Sequence, residues 1–286
     1  MSFLTAELKT RIVTAVVLAV IIIGTLTTGS TLLWAGLTTA FLLAAVWECL
    51  RLVSGLSLTE KAFTWALVLL ALGFLAFAMF DNGAGEAPTF VAPILTALVA
   101  LASAFWLFVV PLQIRKLAID IRSGYGRLTI PLLLASAWLS VVALQRSATS
   151  LLLAVVMITV VADVSAYFVG RAFGRVKLAP SISPNKTREG AMGGVCAAAL
   201  WTAVMAFYLG LVNDASGVVL AALAGAFLGV FAVLGDLWES LLKRQSGVKD
   251  SSKLLPGHGG VLDRIDAQLA VLPLATLLLT TVKPLW

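Results

Sequence analysis

The chain has 286 residues, of which 60% are hydrophobic and only 12% charged, and its mean hydropathy is +1.04. Soluble domains carry about 25% charged residues, so a soluble enzyme and a DNA-binding module are excluded on surface chemistry, and two cysteines exclude a disulfide scaffold. The net charge of +6 acquires meaning only once the charges are placed along the chain.

A membrane core about 30 Å thick needs about 20 apolar helical residues to cross it. Nine apolar windows approach that length: 12–28, 32–47, 62–80, 90–112, 128–144, 151–169, 192–211, 218–234 and 267–282. The runs are continuous rather than alternating, which excludes β-barrel strands. The expected fold is therefore an all-α polytopic membrane protein of about nine transmembrane helices. Lys9 and Arg11 precede the first window as in a signal peptide, and Thr28, Gly29 and Ser30 resemble a cleavage site. The second window starts at once, so a retained first helix is expected.

The bases alternate strictly between the connections. Eighteen of the 20 fall on one side, and only Arg146 and Lys283 on the other. The positive-inside rule then places the N-terminus in the cytoplasm and the C-terminus outside. Connections on the far side, such as 81–88, read as short turns. Those on the basic side lengthen toward the C-terminus, at 170–191 and 235–266. Residues 1–150 are expected to form a five-helix scaffold with lipid or dimer contacts. Residues 151–286 are expected to carry the chemistry on two cytoplasmic loops.

Asp163 lies 12 residues into the sixth window, about 18 Å deep at 1.5 Å per residue. An acid at that depth points to function or pairing. The next polar stretch runs Ser183-Pro184-Asn185-Lys186-Thr187-Arg188-Glu189-Gly190. It reads as a basic loop opening the seventh helix, where free N–H groups and the helix dipole favour anions. Lys186 and Arg188 would add to that, although a plain cytoplasmic loop is also basic.

The stretch 235–266 mixes both charge signs with glycines and apolar residues, which suggests a folded site. If the eighth helix continues past its window, Asp236, Glu239, Ser240 and Lys243 share one face. The turn Pro256-Gly257-His258-Gly259-Gly260 permits close backbone approach and an anion-binding nest. His258 serves either a phosphate or the loop itself. Asp263, Arg264 and Asp266 follow. Asp236 and Asp263 flank the loop, and a pair of carboxylates suits Mg²⁺ held together with substrate phosphates. Lys243, Arg244, Lys249 and Arg264 would balance phosphate charge. Salt bridges among these same residues are the structural alternative. No Walker loop, dinucleotide fingerprint or paired-histidine zinc motif is present.

These residues closely resemble the phosphatidate cytidylyltransferase (CDP-diacylglycerol synthase) family. The family pattern is filled by Ser240, Lys243-Arg244, Lys249-Asp250, His258-Gly259-Gly260 and Asp263-Arg264-Ile265-Asp266. Asp163, Ala166-Tyr167, Gly170-Arg171, Ser183-Pro184, Lys186-Thr187 and Glu189-Gly190 also fit, while Arg188 stands where relatives carry tryptophan. The resemblance covers about 163–266, and the first five windows match only in hydrophobic character.

It implies a membrane enzyme joining CTP to phosphatidic acid, with Mg²⁺ as cofactor and a homodimer as assembly. The charge placement, with 18 of 20 bases on one face, makes the +6 mostly topology, so no nucleic-acid partner is expected. For a bacterial chain the expected location is the inner membrane, with the active site facing the cytoplasm. On this reading Asp236 and Asp263 hold the metal. Lys243, Arg244, Lys249, His258, Arg264 and Asp163 form the catalytic set. Lys186, Arg188, Ser240, Gly257, Gly259 and Gly260 contact substrate. A cytidylyltransferase for another lipid phosphate is the nearest alternative. An anion or nucleotide transporter is disfavoured, because polar residues crowd the C-terminal half rather than paired broken helices.

Overall fold

A computed structural model describes residues 6–53, 56–80, 91–119, 124–282 and 285. The expected turn at 81–88, and Arg122 and Lys283, lie outside the described residues. The order is α1 (Ala6–Thr27), α2 (Thr31–Leu52), α3 (Leu58–Phe80), α4 (Val91–Ala104), a π-helical segment (Phe105–Val109), α5 (Val110–Lys116), α6 (Gly124–Ser147) and α7 (Thr149–Phe173). A two-stranded hairpin of β1 (Lys177–Ala179) and β2 (Ser183–Thr187) follows, then α8 (Arg188–Tyr208), α9 (Ala215–Gln245) and α10 (Leu262–Thr280). Every apolar window of the sequence lies largely on helix. Among the described residues, seven helical segments are long and apolar enough to cross a membrane, so this is an integral membrane protein of helical type.

Three features of the fold matter for the site. First, α9 continues through the polar residues to Gln245, which is the alternative that puts Asp236, Glu239, Ser240 and Lys243 on one helix. Its end is held by Trp238, which donates to Gln113 Oε1 at 2.8 Å and meets Trp106 edge-on at 5.7 Å. Trp106 sits in the π-helical segment, the kind of local widening that re-aims a side chain. Second, the basic loop before α8 is an antiparallel hairpin, with Lys177 opposite Thr187 and Ala179 opposite Ser183. Third, α8 begins at Arg188 and its N-terminus is already capped, because Thr187 Oγ1 accepts from Gly190 N at 3.2 Å. The expected anion site at this helix end is thus partly closed by the chain itself.

α7, α8 and α9 pack on small residues, as membrane helices do when backbones must approach. A Cβ at Gly190 would stand 2.7 Å from the Ala166 carbonyl, and one at Gly194 2.7 Å from that of Ala162. Gly225 meets the Ala198 carbonyl in the same way on the next helix pair. At the centre, α10 is buried along Leu269–Ala275 against α2, α4, α6, α7 and α9. These packings bring the end of α9, the start of α10, the hairpin and the middle of α7 to one place.

Candidate active site

A cavity of about 490 Å³ opens between α7, the hairpin, α8 and α9. Its polar lining includes Asp163, Tyr167, Arg171, Asn185, Lys186 and Asp236. Lys186, on β2, is ion-paired with Asp236 on α9. Ser240, one turn further on, donates to the other Asp236 oxygen at 3.2 Å. Asp163, Asp236 and Asp266 lie within electrostatic reach of one another and of Lys186. The Lys186–Asp236 pair thus lies in a field that two further carboxylates, Asp163 and Asp266, help to set. Asp266 lies in the polar first turns of α10, ahead of the apolar stretch that starts at Ala267. Burial, then the charges of Asp236 and Asp163, raise its carboxyl above the usual range.

A second cluster sits beside the first. Lys243 Nζ contacts Glu239 Oε2 at 2.5 Å and donates to Asp263 Oδ1 at 2.7 Å. Glu239 is fully buried. Asp263 Oδ2 accepts from Ser251 N at 3.0 Å, Ser251 Oγ at 3.0 Å and Gly260 N at 2.8 Å. Burial alone would raise the Asp263 carboxyl; its bonds to Lys243 and Gly260 instead help bring it down to about 2. Asp236 and Asp263, expected to share a metal, are thus each held by a different lysine. The lone pairs of Asp263 are largely taken, and the acids that face Asp236 are Asp163 and Asp266. Among the described residues, no three His, Cys, Asp or Glu side chains converge as a ready metal cage.

The glycine turn is also more committed than its sequence suggests. Gly257 and Gly259 take positive φ, 75° and 83°, as a tight turn requires. His258 N donates to Leu255 O at 2.9 Å, and Gly260 N is used by Asp263. Two N–H groups of the expected anion nest therefore serve the loop. Arg264 places Nε and Nη2 on the His258 carbonyl at 3.0 and 2.6 Å, which pins the turn. Arg244 Nε reaches Ile182 O at 3.2 Å and braces the hairpin. Lys249 and Arg188 are exposed. The loop also meets α1, where Thr14 Oγ1 donates to Pro256 O at 2.9 Å.

Sequence reasoning missed one acid entirely. Glu48, in α2, is fully buried and accepts four hydrogen bonds from residues 251–262. The signal was the same one that drew attention to Asp163: a carboxylate in a run as apolar as Leu42–Leu52.

The profile of the cytidylyltransferase family matches residues 9–282, nearly the whole chain. The chain belongs to that family. Among curated proteins, the phosphatidate cytidylyltransferase of Pseudomonas aeruginosa is 46% identical over 151 residues, which is 52% of this chain and 55% of that protein. Its counterpart in Haemophilus influenzae is 49% identical over 125 residues, 43% of each chain. That of Staphylococcus haemolyticus is 48% identical over 117 residues, 41% of this chain and 44% of that protein. The alignments thus span about half the length of these relatives. For this cytidylyltransferase-family chain, the family match reaches the first five helices, where the sequence motifs are silent.

Proposed function

We propose that this protein is a phosphatidate cytidylyltransferase that converts CTP and phosphatidic acid to CDP-diacylglycerol and pyrophosphate. The observation that carries the reading is the paired arrangement Lys186–Asp236 and Lys243–Asp263 at one end of a helical membrane bundle. Lysines held by carboxylates beside an open cavity suit the binding of two polyanions. The named relatives support the same activity.

In the reaction, an oxygen of the lipid phosphate attacks the α-phosphorus of CTP, and the bond to the β-phosphate breaks as pyrophosphate departs. The nucleophile is already an anion near neutral pH, so the main demand is to bring two anions together. Positioned cations meet that demand by charge stabilisation and orientation. Lys186 lines the cavity, as Arg171 does, and offers positive charge to an incoming phosphate there. Lys243 supplies charge from the neighbouring cluster, and Lys249 and Arg188 are exposed cations of the adjoining segments. Tyr167 and Arg171, hydrogen-bonded at 3.1 Å, form part of the wall.

The donor set fits Mg²⁺. Three carboxylates with one ammonium leave a surplus of negative charge, and hard oxygen donors shared with substrate phosphates are the usual magnesium arrangement. Asp236 would hold the ion, with Asp266 and Asp163 the acids facing it and Asp263 aiding through Lys243. When bound, Mg²⁺ would neutralise the nucleotide phosphates.

The finer architecture belongs to the same reading. Counting α4 with α5 as one rod gives nine crossings, with the N-terminus and the basic connections in the cytoplasm, where CTP is available. The location is the bacterial inner membrane, and the assembly a homodimer. Purified protein given CTP, phosphatidic acid and Mg²⁺ should release pyrophosphate and form CDP-diacylglycerol. A panel with isoprenoid-ether phosphates tests the lipid. No release with any lipid phosphate would sink the assignment.

A further inference from the structure

Glu48 is separated from the loop it touches by more than two hundred positions. A buried carboxylate is tolerated only when its oxygens are hydrogen-bonded. Oε1 accepts from Ser252 Oγ at 2.6 Å and Val261 N at 2.9 Å. Oε2 accepts from Ser251 Oγ at 3.0 Å and Leu262 N at 2.7 Å. Val261 and Leu262 begin α10, and the N-cap residue Val261 offers no side-chain acceptor. Glu48 therefore supplies, from another helix, the capping anion that this helix start lacks.

A second observation points the same way. A Cβ at Gly260 would stand 1.9 Å from Ser251 Oγ and 2.5 and 2.6 Å from the two Glu48 oxygens. Gly260 is a glycine because Glu48 and Ser251 occupy that space. Ser251 then continues the chain of contacts, since both its N–H and its hydroxyl reach Asp263, which in turn holds Lys243.

We infer that Glu48 is a positioning residue for cytidylyl transfer: its carboxylate caps α10 and holds residues 251–262 so that Asp263 meets Lys243. The inference rests on the reading of this site as a cytidylyltransferase. It makes α2, in the half expected to serve as scaffold with lipid or dimer contacts, part of the active-site architecture. Loss of the carboxylate leaves the Val261 and Leu262 N–H groups and the Ser252 hydroxyl without an acceptor in a buried site, while Ser251 keeps only Asp263, and the loop must shift to solvate the freed donors. A shift near 1 Å at the reacting groups costs turnover more than docking.

The test compares wild type, Glu48→Gln, Glu48→Asp, Ser251→Ala and the double variant Glu48→Gln/Ser251→Ala in lipid-detergent micelles. Three quantities are read: kcat and KM for CTP from pyrophosphate release, and the rate of tryptic cleavage after Lys249 and Lys253, both exposed. Glu48→Gln should lower kcat by about tenfold or more with a smaller change in KM, and should speed cleavage. Glu48→Asp should recover part of kcat by keeping the charge. The double variant should fall short of the sum of the singles, because both act along one chain of contacts. A Glu48→Gln protein that melts earlier but keeps wild-type kcat and cleavage overturns the inference. Strict additivity with Ser251→Ala overturns it too. If Glu48→Gln does not fold, Ser251→Ala must itself lower kcat and speed cleavage, and wild-type behaviour there is equally fatal. A wild type without pyrophosphate release fails the enzyme reading instead, while the cleavage rates still decide whether Glu48 holds the loop.

Discussion

Lys186 on the hairpin is ion-paired with Asp236 on α9, and this pair ties together two segments 50 residues apart at the wall of the cavity. Neither partner is fully covered, with side-chain exposures of 26% and 24%. The ammonium is therefore positioned by a carboxylate and still accessible to an anionic substrate. Lys186→Ala should lower kcat/KM by about a hundredfold, in line with the loss of one preorganised charge contact. Lys186→Arg should retain more activity than Lys186→Ala. Equal rates for wild type and Lys186→Ala would remove this lysine from the site.

Asp236→Asn tests the metal assignment. The amide keeps the shape and one acceptor but loses the charge that faces Lys186 and the other acids. Turnover should fall about a hundredfold or more while the protein still inserts and elutes as folded. Asp263→Asn should also cut turnover severely, through loss of the Lys243 contact at 2.7 Å. Near-normal rates for Asp236→Asn at saturating Mg²⁺ would exclude it as a metal ligand.

Two lysines of one loop region separate sharply. Lys243 is bonded to Glu239 and Asp263 and is largely covered, at 14% exposure. Lys253 is exposed. Lys243→Ala should abolish most activity and destabilise the fold, because it leaves two buried acids unpaired. Lys253→Ala should be mild in both respects. Comparable losses in the two variants would mean that the loop is organised differently.

Acid should weaken the fold through Asp263. Its carboxyl is held at about 2, below the ordinary 3.8. A depressed folded value stabilises the native state above the unfolded value, and that contribution disappears as pH falls from about 4 toward 2. The full effect is on the order of 2 kcal/mol. The melting advantage of wild type over Asp263→Asn should thus be level above about pH 5 and shrink below it. An advantage that stays constant to the acid limit would contradict the bonding described for Asp263.

The contact between α7 and α8 depends on bare backbone. Gly190→Ala would place a methyl 2.7 Å from the Ala166 carbonyl and 3.1 Å from Gly170 Cα, both backbone atoms that cannot rotate away. Overpacking of this kind costs about 1–3 kcal/mol. It should also lower activity, since Gly190 and Ala166 line the cavity. Gly24→Ala, in α1 with nothing within 4 Å of the new methyl, should leave melting unchanged or raised. Similar melting losses for the two would argue against the close helix crossing.

Read alone, the sequence settled the class of the protein and pointed to the segments that line the candidate site. Scarce charge required a lipid environment, long apolar runs required helices, and Asp163 with the polar stretch 235–266 marked the candidate site. These features are local, because hydropathy and spacing along one segment decide them. Partnership is not local. That Lys186 meets Asp236 while Lys243 meets Asp263 depends on how α9 extends and where the hairpin returns. Tyr167 and Asn185 join the cavity for the same reason. Gly260 reads as an anion nest in sequence, yet it is small in the fold because Glu48 fills the space a side chain would take. The hydrogen bonds that make Glu48 the cap of α10 close across more than two hundred residues, and only the packed helices bring those atoms together.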